Sequence, residues 1–179
     1  DGVSAEPVSG RLLILGVDIH EHATAVQAQV HAILETNSGP SRRIRANVSA
    51  AKVDTIVGPA VWQLLATHRR LLTAVAEHRS LVVTDMPIGP TGDLVWFDDR
   101  AEFAEHADPF TTARLHLNTA LAPATDPLDR HPVHIAEPIL LEGYRIENDI
   151  LTTGDLRLTV DTPGDLALER GEPGVVVAR

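Results

Sequence analysis

The apolar residues near the start of the chain form one continuous run. Residues 10–18, Gly-Arg-Leu-Leu-Ile-Leu-Gly-Val-Asp, predict a strand that is covered on both faces. After His22 the spacing changes, because Val26, Val30, Ile33 and Leu34 recur as one stripe of a helix. Residues 37–40, Asn-Ser-Gly-Pro, carry the signals that end a helix. The first 40 residues therefore predict a strand, a turn and a helix.

The middle of the chain continues this alternation. Residues 42–48 predict a second, exposed strand, and Ser49 is expected to cap a short helix that ends at Val57. Pro59 fits the first position of a longer helix that reaches about His78. Its expected buried side consists of Val61, Leu64, Leu65, Leu71, Leu72 and Val75.

A further buried strand is predicted over residues 80–85, and a loop with two prolines and two glycines follows it. Residues 94–97 predict a short strand. Two helical pieces are then expected, over about 100–106 and 109–121.

Beyond residue 122 prolines break the chain and the apolar residues are typical of strands. The candidate strands are 133–146, 148–153, 155–160 and 174–178. A Gly-Asp-Leu core recurs from Gly92, Gly154 and Gly164, and we interpret it as turn chemistry.

These elements together favour an α/β fold with N-terminal β-α units, whose buried strands are expected to be parallel, and a β-rich C-terminal part. Residues 1–9 are expected to form a flexible tail. Residues 10–179 are expected to form a single domain, with the α/β part over about 10–121 and the β-rich part over about 130–179.

The composition narrows the classes of partner that the protein could bind. The chain has 179 residues and a formal net charge of −10, which argues against nucleic acid and against anionic membranes. Residues 126–172 hold eleven acidic residues and four arginines, so the negative charge is concentrated in the β-rich part. That charge favours a solvated sheet face or edge. The alternative is a surface for a cation or a basic partner.

Residue types that are rare or missing exclude several chemistries. The chain has no cysteine, which removes disulfides, thiol nucleophiles and iron–sulfur clusters. Lys52 is its only lysine, so any lysine-dependent chemistry would have to use that residue. The sequence has no apolar run long enough for a membrane helix, and residues 1–9 lack a signal-peptide pattern. We therefore expect a cytoplasmic protein, and a signal removed before residue 1 stays open.

The densest group of chemistry-bearing residues is Asp18-x-His20-x-His22. This pattern at the end of a first buried strand resembles the opening of metal-dependent hydrolases of the amidohydrolase type. In an extended segment alternate side chains point the same way, so two imidazoles could reach one cation. That family uses a (β/α)8 barrel of roughly 250 residues, which is longer than this chain.

The same turn, residues 16–24, is similar to the phosphate loop of dethiobiotin synthetase and its relatives. Residues 80–93 resemble the switch segment of partitioning and iron–sulfur-assembly ATPases. The resemblance implies nucleotide contacts at both segments. However, Ala23 stands where those proteins have a lysine, and His20 and His22 stand where they have glycines.

A third fragment, from Glu137-Pro138 to residues 143–153, resembles the closing motif of the pita-bread metallopeptidases. The resemblance implies that Glu137 and Glu147 bridge two metal ions. The partners it implies upstream are Asp85 and Asp98, with His131 or His134 as the imidazole.

One site hypothesis rests on architecture. Asp18 and Asp85 each end a predicted buried strand, and in a parallel sheet both would stand at the carboxyl edge, where such sheets bind ligands. His20 and His22 would flank that edge. We predict Asp18 and Asp85 as catalytic residues and His20 and His22 as ligands of a divalent metal. An aspartate in such a place is also an ordinary helix cap or turn residue.

Two functions remain open from the sequence. The first is a domain that binds a small molecule, or a small enzyme such as a divalent-metal-dependent hydrolase, with its site at the edge of the sheet. The second is a non-catalytic assembly subunit whose acidic C-terminal part contacts partner proteins. Homo- or hetero-oligomers are compatible with both.

Overall fold

A computed structural model describes most of the first 108 residues and several later strands. The described residues are 5–37, 39–53, 55–56, 60–108, 111–112, 137–141, 145–147, 150–154, 156–159 and 174–178. The N-terminal elements are β1 (Glu6–Glu21), β2 (Ala25–Thr36), β3 (Arg42–Ala51), α1 (Ala60–Leu64), α2 (Arg69–Ala76), β4 (Arg79–Ile88), β5 (Asp93–Leu94) and β6 (Ala101–His106). The C-terminal strands are β7 (Glu137–Leu141), β8 (Arg145–Glu147), β9 (Ile150–Thr153), β10 (Leu156–Thr159) and β11 (Gly174–Ala178).

The N-terminal strands form one sheet that closes on itself. Its order is β1-β2-β3-β5-β4-β6, and β1 also pairs with β4. The β3–β5 pairing is parallel, whereas β1 is antiparallel to both β2 and β4. Gly10 allows the close approach of β1 and β2, because a Cβ there would lie 2.2 Å from the backbone oxygen of Glu35. Separate pairings join β8, β9 and β10, and β7 with β11.

The enclosed side of this sheet, which we call the inner face, carries an aliphatic core. Alternate residues of β2 and β3 supply much of it: Val26, Ala28, Val30, Ala32, Leu34, Ile44, Ala46 and Val48. Residues of the α1–α2 segment cover the core from one side. Val61, Leu65 and Leu71 are buried there, and Leu64, Leu72 and Val75 are partly buried, so the predicted buried side is confirmed. The single long helix predicted for this segment is interrupted, because α1 ends at Leu64 and α2 begins at Arg69.

The predicted α/β fold with N-terminal β-α units is wrong, because the structure is mostly strands in one mixed sheet with few helices. The largest single correction is residues 25–36, predicted as a helix and found as β2. The helical spacing of Val26, Val30 and Leu34 is also compatible with alternation, since Ala28 and Ala32 occupy the positions between them on the same inner face.

Three further expectations fail for related reasons. Ser49 continues β3 instead of capping a helix, and residues 101–106 form β6, paired with β4, where a helix was predicted. The strands that contain Asp18 and Asp85 are antiparallel neighbours, so their carboxyl ends point in opposite directions.

Several strands lie where the sequence predicted them. Strands were predicted in the regions of β1, β3 and β4, and also in those of β7–β11. Gly154 has a φ of +53° in the turn between β9 and β10, which confirms the turn role of that Gly-Asp-Leu segment. The predicted helix over 109–121 lies almost wholly outside the described residues. Strand β1 begins at Glu6, inside the segment expected to be a tail.

Candidate functional site

Asp18 and His20 lie side by side on the outer face of β1, the face turned away from the core. Their neighbours Val17 and Ile19 pack against the core, so alternation directs Asp18 and His20 outward. The Nε2 atom of His20 lies 3.0 Å from Oδ2 of Asp18, and the two side chains are 24% and 22% exposed. This pair offers a carboxylate and an imidazole at a half-buried position.

The strand register extends this pair into rows of polar residues across three strands. His20 is opposite Gln27, which is opposite Ser49, and Asp18 is opposite Gln29, which is opposite Asn47. We call these six residues the polar face. Their alternation with core residues places all six on the outer side of the sheet.

Hydrogen bonds fix the β3 side of the polar face. Gln29 donates from Nε2 to Oδ1 of Asn47 at 2.9 Å, and Asn47 donates from Nδ2 to Oδ1 of Asp93 at 3.2 Å. Arg45 donates to both carboxylate oxygens of Asp93, and Thr91 donates to Oδ2 at 2.7 Å. Asp93 thereby connects the turn before β5 to β3, and the amides of Gln29 and Asn47 are each held by a hydrogen bond.

A third row contains a buried histidine. His31 on β2 lies between Gly16 of β1 and Arg45 of β3. It is fully buried, and neither ring nitrogen has a hydrogen-bond partner in the described part of the chain. Burial is the largest cause that lowers the pKa of His31 below its ordinary value, and the charge of Asp18 opposes this shift.

Next to His31 the outer face becomes apolar. Leu13, Leu15 and Ile33 form a separate buried cluster, which we call the outer apolar patch, and Ala107 packs against it. Strand β11, with the sequence Gly-Val-Val-Val-Ala, contacts β1 on the same molecule. The outer face of β1–β3 has a buried apolar part at Leu13, Leu15 and Ile33 and a half-buried polar part around Asp18 and His20.

The other two predicted site residues lie elsewhere. His22 is exposed in the turn after β1, where its backbone N–H donates to the carbonyl of Ala25 at 2.8 Å. Asp85 occupies a bulge in β4 with a φ of +51°. Its N–H donates to the hydroxyl oxygen of Ser9 at 2.9 Å, and its carbonyl accepts from Arg100 at 2.7 Å.

Asp85 and Asp18 are at opposite ends of β1. Asp85 is opposite Ser9, and nine residues of strand, about 30 Å when extended, separate Ser9 from Asp18. The structure therefore brings together Asp18 and His20 and leaves Asp85 outside the group. The hydrogen bonds of Asp85 give it a place in the β1–β4 contact.

No group of three or more histidine, aspartate or glutamate side chains that could hold a metal ion occurs among the described residues. Lys52, the only lysine, is 5% exposed. It donates to the carbonyl of Ile56 at 3.0 Å and lies 3.6 Å from Glu21, so it connects the end of β1 to the segment after β3.

Sequence reasoning missed His31, Arg45, Asn47 and Asp93. Reading β2 as a helix separated Gln27, Gln29 and His31 from one another, whereas the period of a strand places them on one face. The signal that could have found them is the alternation of polar residues with small apolar residues from Ala25 to Val30.

Comparison of the chain with models of known protein families, with curated proteins and with solved structures gave no match. None of the helices in the described ranges has the length and apolar character that a membrane crossing requires.

Proposed function

We propose that the chain is a binding domain that holds a small polar ligand against the polar face, with the Asp18–His20 pair at its centre. The observation that carries this proposal is the set of two cross-strand rows, His20–Gln27–Ser49 and Asp18–Gln29–Asn47. Side chains on paired strands have fixed spacing, which is the geometry that recognition of a small ligand needs.

The chemistry of the rows favours a ligand with several hydroxyl or amide groups. Gln27, Gln29 and Asn47 each have donor and acceptor groups, and the Ser49 hydroxyl has both as well. Asp18 adds a carboxylate acceptor beside the imidazole of His20. Such a mixed set can pair with a ligand that itself carries both donors and acceptors, such as a polyol or a sugar amide.

The inner face supplies a rigid support for this surface. The residues that alternate with the polar rows, such as Val26, Ala28 and Val48, are at most 3% exposed. A ligand on the polar face would meet side chains whose backbone is fixed by this packing, so little ordering would be needed on binding.

The proposed ligand is a small molecule, as the sequence predicted, and a metal-dependent hydrolase activity is not part of the proposed function. Of the four predicted site residues, only Asp18 and His20 are neighbours, and a metal-dependent hydrolase would need additional ligands beside them. The role of an acidic C-terminal part in assembly also stays a prediction, since most of residues 126–172 lie outside the described ranges.

A nuclear magnetic resonance screen of the labelled protein tests the proposal. The panel contains hexoses, inositols, sugar amides and short carboxylates at millimolar concentration. We expect the polyol and amide ligands to shift the amide signals of residues 18–20, 27–29 and 47–49. A Gln29→Ala/Asn47→Ala double variant should lose these shifts, and the control Thr84→Ala, on an exposed position of β4, should keep them.

Three results would contradict the proposal. The first is a panel in which no ligand perturbs the polar face. The second is a set of shifts that maps to β4 and β6 instead. The third is a double variant that folds normally and binds the same ligands with unchanged affinity.

A further inference from the structure

His31 combines two properties that rarely persist together in a folded protein. Its side chain is fully buried, and both of its ring nitrogens lack a hydrogen-bond partner in the described ranges. A buried polar group without partners costs free energy, on the order of 1–3 kcal/mol for a neutral group and more for a charged one. The neutral imidazole is therefore tolerated there at a cost, and the imidazolium is strongly disfavoured.

The ionisable groups around His31 come from the two strands that flank it. Asp18 and His20 lie on β1, and Arg43 and Arg45 lie on β3. Asp18 favours the charged imidazole, whereas both arginines and His20 disfavour it. Strand β11, which contacts β1, contains no ionisable residue. Burial has the largest effect of all, so the pKa of His31 is lowered.

The position of His31 couples its protonation to the outer apolar patch. His31 and Ile33 are both on the outer face of β2, two residues apart, and Gly16 opposite His31 has no side chain that could shield the ring. An imidazolium at this place would need water, and water could reach the fully buried ring only if the packing around it opened.

We propose that His31 is a proton-sensitive latch: its protonation opens the packing of the outer face around His31 and the outer apolar patch. The neutral ring is compatible with the closed arrangement, and the charged ring is compatible only with an open one. This inference does not depend on the proposed ligand of the polar face, and it would hold if no ligand bound there.

The direction of the pH dependence follows from linkage. The unfolded or opened state binds a proton at the ordinary histidine pKa of 6.5, and the closed state binds it only at a lower pH. The stabilising effect of the neutral ring is thus complete above about pH 6.5. It is lost progressively as the pH falls from there towards the pKa of the closed state.

Hydrogen exchange monitored by mass spectrometry or magnetic resonance tests the latch. The pH is lowered from about 7.5 to about 5.5, a range that spans the ordinary histidine value and stays above that of most carboxyl groups. After correction for the intrinsic exchange rate, we expect protection at residues 13–16 and 31–33 to fall by up to about tenfold per pH unit below 6.5. Protection of residues 81–83 of β4, where Leu81 and Val83 belong to the inner-face core, should change much less.

Two variants separate the latch from general acid sensitivity. In His31→Phe and His31→Gln the side chain cannot gain a proton, so the extra loss of protection should disappear. The matched control His106→Gln removes an exposed histidine of β6 and should behave as the unmodified chain does. A parallel titration of the histidine ring signals in the unmodified chain should find His31 protonated only below its ordinary range.

Each alternative result overturns the latch. Protection at the outer apolar patch that is unchanged over the pH range would do so, as would an equal loss in the unmodified chain and in whichever His31 variant folds. A His31 ring that titrates at or above 6.5 in the folded chain would also exclude it. The ring titration needs no substitution, so it decides the question even if both variants are too unstable to study.

Discussion

The two faces of β1–β3 are built from the same strands and differ in almost every other respect. On the inner face, alternate residues such as Leu12, Val30 and Ile44 are buried in one continuous aliphatic cluster. On the outer face, a small apolar patch of three residues lies beside rows of polar side chains. Both faces share one backbone register, so their difference comes from side-chain chemistry alone.

This difference separates the residues that the fold requires for its stability from those that it does not require. Closure of the sheet buries the inner face, and burial of apolar area is the main favourable free energy of folding. The polar face adds little apolar burial, yet two of its amides, Gln29 and Asn47, and the neighbouring Arg45 are held by specific hydrogen bonds. Polar side chains that are ordered without being needed for the core are the reasonable candidates for recognition.

The largest expected effect is on the inner face. Leu34 is fully buried, so Leu34→Ala should lower the free energy of unfolding by about 3 kcal/mol through lost burial and a residual cavity. Its control on the same strand is Gln27→Ala on the polar face, for which we expect a change below about 0.5 kcal/mol. Urea unfolding of both variants measures the contrast, and similar losses would show that the two faces do not differ as described.

The outer apolar patch provides the next test. Ile33 is adjacent to Leu34 and points to the other side, where it is 2% exposed. We expect Ile33→Ala to cost about 2 kcal/mol, less than Leu34→Ala because the cluster around it is much smaller. The same unfolding measurement applies. A loss below about 0.5 kcal/mol would mean that this patch does not behave as a second core.

A smaller effect is expected where the polar side chains connect two strands. Arg45 and Asp93 form a two-bond ion pair between β3 and β5, with 18% and 34% of their side chains exposed. A double-mutant cycle with alanine at both positions should give a coupling free energy of about 1 kcal/mol.

The control for this cycle is the more exposed pair of Arg42 and Glu6, which lies at 2.8 Å with 41% and 63% exposure. Exposed ion pairs are screened by water, so its coupling should be below about 0.5 kcal/mol. Equal coupling in the two cycles would show that partial burial adds nothing to the Arg45–Asp93 pair.

The two faces also explain how far the sequence could be interpreted. The runs that became β1 and β4 were recognisable as strands, because strong apolar residues are consecutive in each. In β2 the inner face uses Ala28 and Ala32, which are weakly apolar and favour helices, and residues 30–34 are buried on both faces. The alternation is masked there, and the larger apolar residues happen to match a helical spacing.

The candidate site was likewise predictable from the sequence only in part. Alternation within one strand was enough to direct Asp18 and His20 to the same side. Asp85 was grouped with them only through the assumption of parallel strands, which the antiparallel β1–β4 pairing overturns. Contributions from other strands, such as Asn47 and His31, require the register, and single-sequence patterns do not contain that register.

The smallest expected effect on stability concerns His20. Its ring is 24% exposed and contacts Asp18 at 3.0 Å, so the His20→Ala substitution removes a half-buried pair at the sheet surface and leaves the inner face intact. We expect unfolding to change by less than about 0.5 kcal/mol. If the polar face recognises a ligand, the same substitution should weaken binding of that ligand by at least about tenfold, since a loss of 1.4 kcal/mol in binding corresponds to that factor. Unfolding and titration of this one variant therefore separate a role of His20 in stability from a role in binding. A variant that loses stability while retaining affinity would show that His20 supports the fold and does not take part in recognition.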